Sequence, residues 1–250
     1  MKASTLWDAH ASVYEQIFER FTVLWGHDAL VLGQLPCTAG ISTRVVDGQT
    51  LSGLDDASFD VVSSIFGAVM FPDRAVTWQS AWRVLKPGGR LLVTSWDANS
   101  PNVRISKFLL DNAANKPDAE DPDPTTMGTP NRTLVAATFR EELEESGFQD
   151  VHVYTVGHPI CFHSGQEFVE GLLDNGGFKS LTAHKQPASL ARCILDFAQL
   201  MLDGVDPFGD EARALVVSNA QKTAQSHPLW GQPLTMPALG HIAVATKPSG

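Results

Sequence analysis

The stretch that decides the fold is ASFDVVSSIFGAVMFPDRAVTWQSAWRVLKPGGRLLVTSW, Ala57–Trp96. Its opening carries a continuous apolar core at Val61–Val62 and Ile65–Phe66. Unbroken runs of this kind suit a parallel strand covered on both faces. DRAVTWQSAWRVL then sets Trp78, Ala81, Trp82 and Leu85 at i, i+3, i+4 and i+7, which predicts an amphipathic helix with these four on its buried face. KPGG stops that helix, because proline cannot continue it and glycine accepts turn conformations. RLLVTSW is the next strand. Strand, helix, Pro-Gly turn and strand at this spacing make a right-handed βαβ unit.

Working outward, the pattern stays α/β. STLWDAHASVYEQIFERF places Leu6, Val13, Ile17 and Phe21 near helical spacing, and a second helix is expected over Phe21–Leu35. Trp7, Tyr14 and Trp25 read first as packing residues of these N-terminal helices, residues 1–35. STRVVDGQTL is a short β-branched run closed by Asp-Gly, so Thr43–Val46 is expected as a strand. NKPDAEDPDPTTMGTPNR reads as an exposed acidic loop. In TFREELEESGF, Thr138 and Glu141 fit a capping box and Gly147 a C-terminal stop. DVHVYTVG alternates like a strand. Helices are expected near Gln166–Leu173, Ser189–Leu202 and Asp210–Ala224, with Ile194, Phe197, Ala198 and Met201 on one face, and LGHIAVATK is a final strand. The expectation is a single 250-residue domain, a mostly parallel sheet with a helical insertion over residues 162–237 before the last strand.

Composition narrows the partners. A formal net charge of −10 repels phosphate backbones and anionic lipid, so neither nucleic acid nor a membrane is expected as a partner. No apolar run approaches the ~18 residues of a membrane span. Cys37, Cys161 and Cys193 are too scattered for a disulfide framework or a zinc site, and no metal is expected. MKASTLWDAH reaches an acid and a histidine too early to read as a signal peptide, so a cytoplasmic setting is expected.

The strand F-D-V-V, the F-P-D after it and the turn L-K-P-G-G-R-L together resemble the class I S-adenosylmethionine-dependent methyltransferases, in particular the ubiquinone/menaquinone-type group acting on small molecules. LWDAHASVYEQIFERFT is similar to that family's N-terminal helix and HIAVATKP to its terminal antiparallel strand. The resemblance implies a Rossmann-like methyltransferase sheet, mostly parallel with an antiparallel last strand, and S-adenosyl-L-methionine as cofactor. The departure lies between Leu35 and Arg44. The family places there a first strand, a Gly-x-Gly turn, a helix and a second strand with an acid at its tip. This chain has eight residues, PCTAGIST. A parallel crossover needs roughly a dozen at minimum. The expected sheet is therefore truncated by the loss of its first two strands, and the Gly-rich turn is absent. Three explanations stay open: a shortened version of an ordinary member, a protein repurposed without the cofactor, and a fold completed as a homodimer.

The resemblance places Asp47 at the acidic position that accepts a hydrogen bond from the adenine amino group, with Gly48 and Gln49 flanking the ring. A plain Asp-Gly turn is the alternative. Ser64, Ile65 and Phe66 lie where a strand ends, the usual ligand edge of an open α/β sheet. Met70, with Phe71, and Trp96 and Tyr14 are candidates for the substrate pocket. Methyl transfer asks mainly for alignment, with a general base when the nucleophile is protonated. His10, His158 and His163 are the candidate bases. Phe168, Leu172, Phe197, Met201 and Trp230 in the insertion point to a small apolar substrate. The readings weighed against methyl transfer are a cofactor-independent cyclase, isomerase or dehydratase, and a non-catalytic pseudoenzyme.

Overall fold

A computed structural model describes residues 19–33, 43–101, 103–105, 133–174, 187–207, 209–219 and 222–250. His10 and Tyr14 lie outside the described residues, as do most of the expected first helix and all of the acidic loop. The chain divides into two compact units. One is built from Phe21–Ala98, Pro130–Val156 and Leu239–Gly250; the other includes Asn99–Thr129 and Gly157–Ala238.

The first unit is a sheet with helices. Its strands are β1 (Phe59–Ser64), β2 (Leu85–Asp97), β3 (Thr133–Leu134), β4 (Gln149–Phe162) and β5 (Leu234–Thr246). The boundary between the units falls inside β4 and β5. Strand order is β1-β2-β5-β4, with β3 also on β2. β1 and β3 run parallel to β2, and β5 runs antiparallel to it, so the sheet is mixed and the expected antiparallel last strand is present. Among the described residues β1 is an edge strand.

Helix α1 (Glu19–Leu32) precedes the sheet, α2 (Arg74–Val84) joins β1 to β2, and α3 (Ala136–Glu145) precedes β4. The α2 helix starts where Asp73 accepts the Val76 N–H, satisfying one of the orphan donors of the first turn. It ends where the Lys247 ammonium donates to the carbonyls of Trp82 and Leu85 at 2.8 and 2.7 Å, a cation at the negative helix end. Trp82 is not on the buried face. It is exposed, with Lys247 Nζ 3.9 Å from its ring centroid. The strand after α2 begins at Leu85, earlier than RLLVTSW implied, and KPGG becomes an irregularity between the pairs Phe59–Leu85 and Val61–Arg90.

The expected capping box is absent. The α3 helix starts at Ala136, two residues ahead of Thr138, so Thr138 is already inside it and the cap residue is Val135. The C-terminal stop holds. Phe148 N–H bonds Leu143 O, Gly147 N–H bonds Glu144 O, and Gly147 adopts φ +92°. This is a Schellman ending, and its two apolar partners, Leu143 and Phe148, both enter the core.

Leu91 and Val93 of β2 lie opposite Ala245 and Ala243 of β5. All four pack with Trp78, Ala81, Phe139 and Leu143 of α2 and α3. Leu91 through Ser95 are buried without a break, as a strand covered on both faces requires. Thr43–Val46 form no strand. The segment has no regular secondary structure, Val45 is fully exposed, and Arg44 donates to Gly53 O. β-branched residues make a strand only where a neighbouring ladder accepts them, and this segment has none.

The second unit holds α4 (Gly165–Asp174), α5 (Pro187–Leu202) and α6 (Asp210–Asn219). Ile194, Phe197 and Ala198 are fully buried as the α5 pattern implied, and Leu195 joins them, while Met201 is only partly buried. The α6 helix stops earlier than expected, and a short 3₁₀ turn follows at Ala224–Ser226.

Candidate functional site

The parallel strands β1 and β2 end side by side, and the crevice outside such carboxyl ends is where open α/β sheets hold ligands. At the tip of β1, Ser64 Oγ accepts the Ala68 N–H at 2.8 Å and closes a 3₁₀ turn over Ala68–Met70. Ile65 is half-buried and lies beside Gly26 of α1. Phe66 adopts φ +55°, a left-handed conformation that is rare for a bulky residue. Its amide is held there by Thr94 Oγ1 at 2.7 Å. Strain of this sort persists only where surrounding structure fixes it, and it concentrates at functional edges.

That backbone turn aims the Phe66 ring at Trp96, with centroids 4.4 Å apart and planes 25° from parallel. Trp25 of α1 meets Phe66 edge-on at 5.7 Å and Trp96 at 5.0 Å. The Trp25 side chain has no exposed surface, and its Nε1 donates to Val156 O at 3.3 Å. Three rings thus converge at the carboxyl ends of β1 and β2. Met70 turns instead toward the core beneath α2, where it packs with Phe71.

The Asp47–Gln49 turn joins this edge. Asp47 Oδ1 accepts the N–H groups of Gln49 and Thr50, at 2.8 and 3.4 Å, which is an Asx turn. Oδ2 receives neither bond. Gln49 Oε1 accepts the Asp73 N–H at 3.0 Å, tying the turn to the start of α2. A Cβ on Gly48 would come within 2.5 Å of the Phe71 ring, so only glycine allows this approach. The structure therefore brings 47–49 and 64–73 together, and Trp96 with Phe66.

Of the candidate bases, His10 lies outside the described residues, and His158 and His163 fall in the second unit. His158 is half-buried on β4 in the second unit. His163 is exposed, with Nδ1 3.1 Å from Glu167 Oε2 across one helical turn's spacing.

Two polar residues at the sheet edge were missed in the sequence. Asp97 ends β2, and His241 sits on β5 opposite Ser95. Both are buried, with His241 Nε2 3.2 Å from Asp97 Oδ2 and Nδ1 3.0 Å from Thr155 Oγ1. Each imidazole nitrogen faces a protein oxygen, so His241 of β5 lies between the end of β2 and Thr155 of β4. An acid directly after a buried strand was the available signal for Asp97; for His241 the signal was a histidine inside an apolar strand run. Among the described residues no group of three or more His, Cys, Asp or Glu side chains could hold a metal ion. No helix among them is long and apolar enough to cross a membrane.

Residues 29–93 match the methyltransferase domain family. Over 135 residues the chain is 27% identical to the ubiquinone/menaquinone biosynthesis C-methyltransferase UbiE of Klebsiella pneumoniae, covering 54% of this chain and 45% of that protein. It is equally 27% identical over 135 residues to the methyltransferase ucsB of an Acremonium species, covering 53% and 43%. The matched stretch thus spans less than half the length of these curated relatives. Among solved structures, the YcgJ protein of Bacillus subtilis is similar at 18% identity, with 81% of this chain and 69% of that one covered and a TM-score of 0.45. The chain is thus similar to methyltransferases over residues 29–93 and over the stretch matched by these two relatives.

Proposed function

We propose that this protein is an S-adenosylmethionine-dependent methyltransferase-like protein for a small apolar molecule, with a cofactor site reduced to its adenine side. The observation that carries this reading is the joining of the Asp47 turn to the tip of β1, through Gln49 to Asp73 and Gly48 to Phe71. A carboxylate with one oxygen outside the turn's own hydrogen bonds suits an adenine amino group. The partly exposed ring of Trp96, backed by Phe66, suits a sulfonium cation, which aromatic faces attract. The cofactor, when bound, supplies an electrophilic methyl group, and the chain's part is to bind, orient and exclude water. The ribose and amino-acid ends of the cofactor would lack the Gly-rich turn, and eight residues between Leu35 and Arg44 are the reason.

A second reading, a cofactor-independent or non-catalytic protein on the same scaffold, is favoured by one observation. Trp25, wholly buried, closes over the rings of Phe66 and Trp96. A homodimer joined through the β1 edge would complete the sheet under either reading, and light scattering tests it. Calorimetric titration with S-adenosylmethionine and S-adenosylhomocysteine separates the readings. Saturable micromolar binding is expected; absence of heat at millimolar ligand would overturn the first reading in favour of the second.

A further inference from the structure

In the second unit, His227 is buried beside two charged residues of α5. Its Nδ1 accepts the Leu229 N–H at 3.0 Å, so the ring proton sits on Nε2, which lies 3.4 Å from Asp196 Oδ1. Asp196 is in turn held by Arg192, whose Nε lies 3.2 and 3.1 Å from its two carboxylate oxygens. Arg192 Nη1 also reaches Ser226 Oγ at 3.4 Å. The imidazole is thereby fixed as one neutral tautomer.

The turn that His227 organises has a second task. His227 O accepts the Trp230 N–H, and Leu229 O accepts the Gln232 N–H. The same turn satisfies the start of α4. Gly165 N–H reaches Leu229 O and Gln232 O at 3.1 and 3.0 Å, and Gln166 N–H reaches Trp230 O at 2.9 Å. These are two of the four N–H groups that a helix start leaves without intrahelical partners. A Cβ on Gly165 would clash with the Leu229 carbonyl, so the fit is made for glycine.

We propose that the 227–232 turn is a proton-sensitive latch on the N-terminus of α4, closed while His227 is neutral and released when it gains a proton. Protonation makes Nδ1 a donor facing the Leu229 N–H, also a donor, and the bond that sets the turn is lost. The charged groups around the ring are Arg192 and Asp196 from α5. Among the described residues, His163 and Glu167 at the start of α4 are bonded to each other, and Ser226 of the 3₁₀ turn bonds Arg192. Burial and the nearby Arg192 guanidinium lower the His227 pKa, and Asp196 opposes them. The neutral form is therefore the resting one near neutral pH. Release frees the α4 face formed by Phe168, Val169 and Leu172, all buried in the latched state.

Hydrogen exchange tests this, read at the amides of Gly165, Gln166 and Leu229 between about pH 7.5 and pH 5 and corrected for intrinsic rates. Protection at these three should fall as pH drops through the His227 titration, by up to about tenfold per pH unit for a single proton. His227→Asn keeps an acceptor for Leu229 N–H but cannot titrate, so its protection should stay flat. Protection that is unchanged in the parent protein, or that falls equally in His227→Asn, overturns the proposal. If the variant does not fold, the imidazole resonances of the parent decide. A His227 pKa at or above the ordinary value would contradict the latch, and one below it, titrating together with the three amides, would support it.

Discussion

Trp25 and Gly240 are fitted to each other: a Cβ on Gly240 would come within 2.5 Å of Trp25 Nε1 and 3.0 Å of Cδ1. The absent side chain on β5 is what lets the indole of α1 approach the strand this closely while it meets both Phe66 and Trp96. Gly240→Ala should push the indole outward and destabilise the protein by about 1–3 kcal/mol, the usual cost of overpacking a filled site. Urea unfolding measures the loss. A variant as stable as the parent would show that Trp25 is not held as described.

Glu142 joins α3 to α2 by two routes. It pairs with Arg74, with Nε 2.9 Å from Oε2, and accepts the Trp78 indole N–H at 3.0 Å. Trp78 is buried, so Glu142→Ala strands its N–H and takes a carboxylate away from the Arg74 guanidinium. A loss of about 1.5–3 kcal/mol is expected in chemical denaturation. Glu142→Gln should recover part of it, because an amide oxygen can still accept from Trp78.

Asp73→Ala removes the cap of α2 and should cost about 1 kcal/mol. Asp73→Asn should cost far less. Equal losses for the two variants in thermal melts would mean that the side chain acts through its charge and not as a cap.

Acid stability follows from His227. Its folded pKa lies below the unfolded value of 6.5, so between the two the unfolded chain binds more protons. The stabilisation is complete above pH 6.5, is lost as pH falls below it, and levels off below the folded pKa. The slope reaches at most about 1.4 kcal/mol per pH unit. His227→Asn should flatten the stability curve in that window, as urea midpoints at several pH values would show.

Much of the sheet was legible because hydrophobic pattern and turn chemistry agreed. Val61–Val62, Trp78 and Ala81 of α2 and LGHIAVAT each fell in the element they predicted. What misled were local signals with a tertiary competitor. Thr43–Val46 has strand propensity and no ladder to join. Thr138 and Glu141 have capping-box spacing, yet the helix begins two residues earlier. Trp82 fits the apolar stripe of α2, but its ring is exposed and lies over the Lys247 ammonium. Of the site, the strand-end positions were readable from the α/β rule. The close fits were not, since Trp25 on Gly240 and Thr94 on the Phe66 amide join residues far apart in the chain.

The central claim, that the Asp47 turn and the tip of β1 form the remaining cofactor site, is tested most directly by titrating S-adenosylhomocysteine into the parent protein and into Asp47→Asn. Asparagine keeps an oxygen for the Gln49 and Thr50 N–H groups, so the turn and the melting temperature should hold. Its amide would present a donor where the adenine amino group needs an acceptor. Micromolar binding by the parent and roughly tenfold weaker binding by Asp47→Asn, about 1.4 kcal/mol, is the predicted result. No binding by the parent at millimolar ligand, or equal affinity for both proteins, would contradict it.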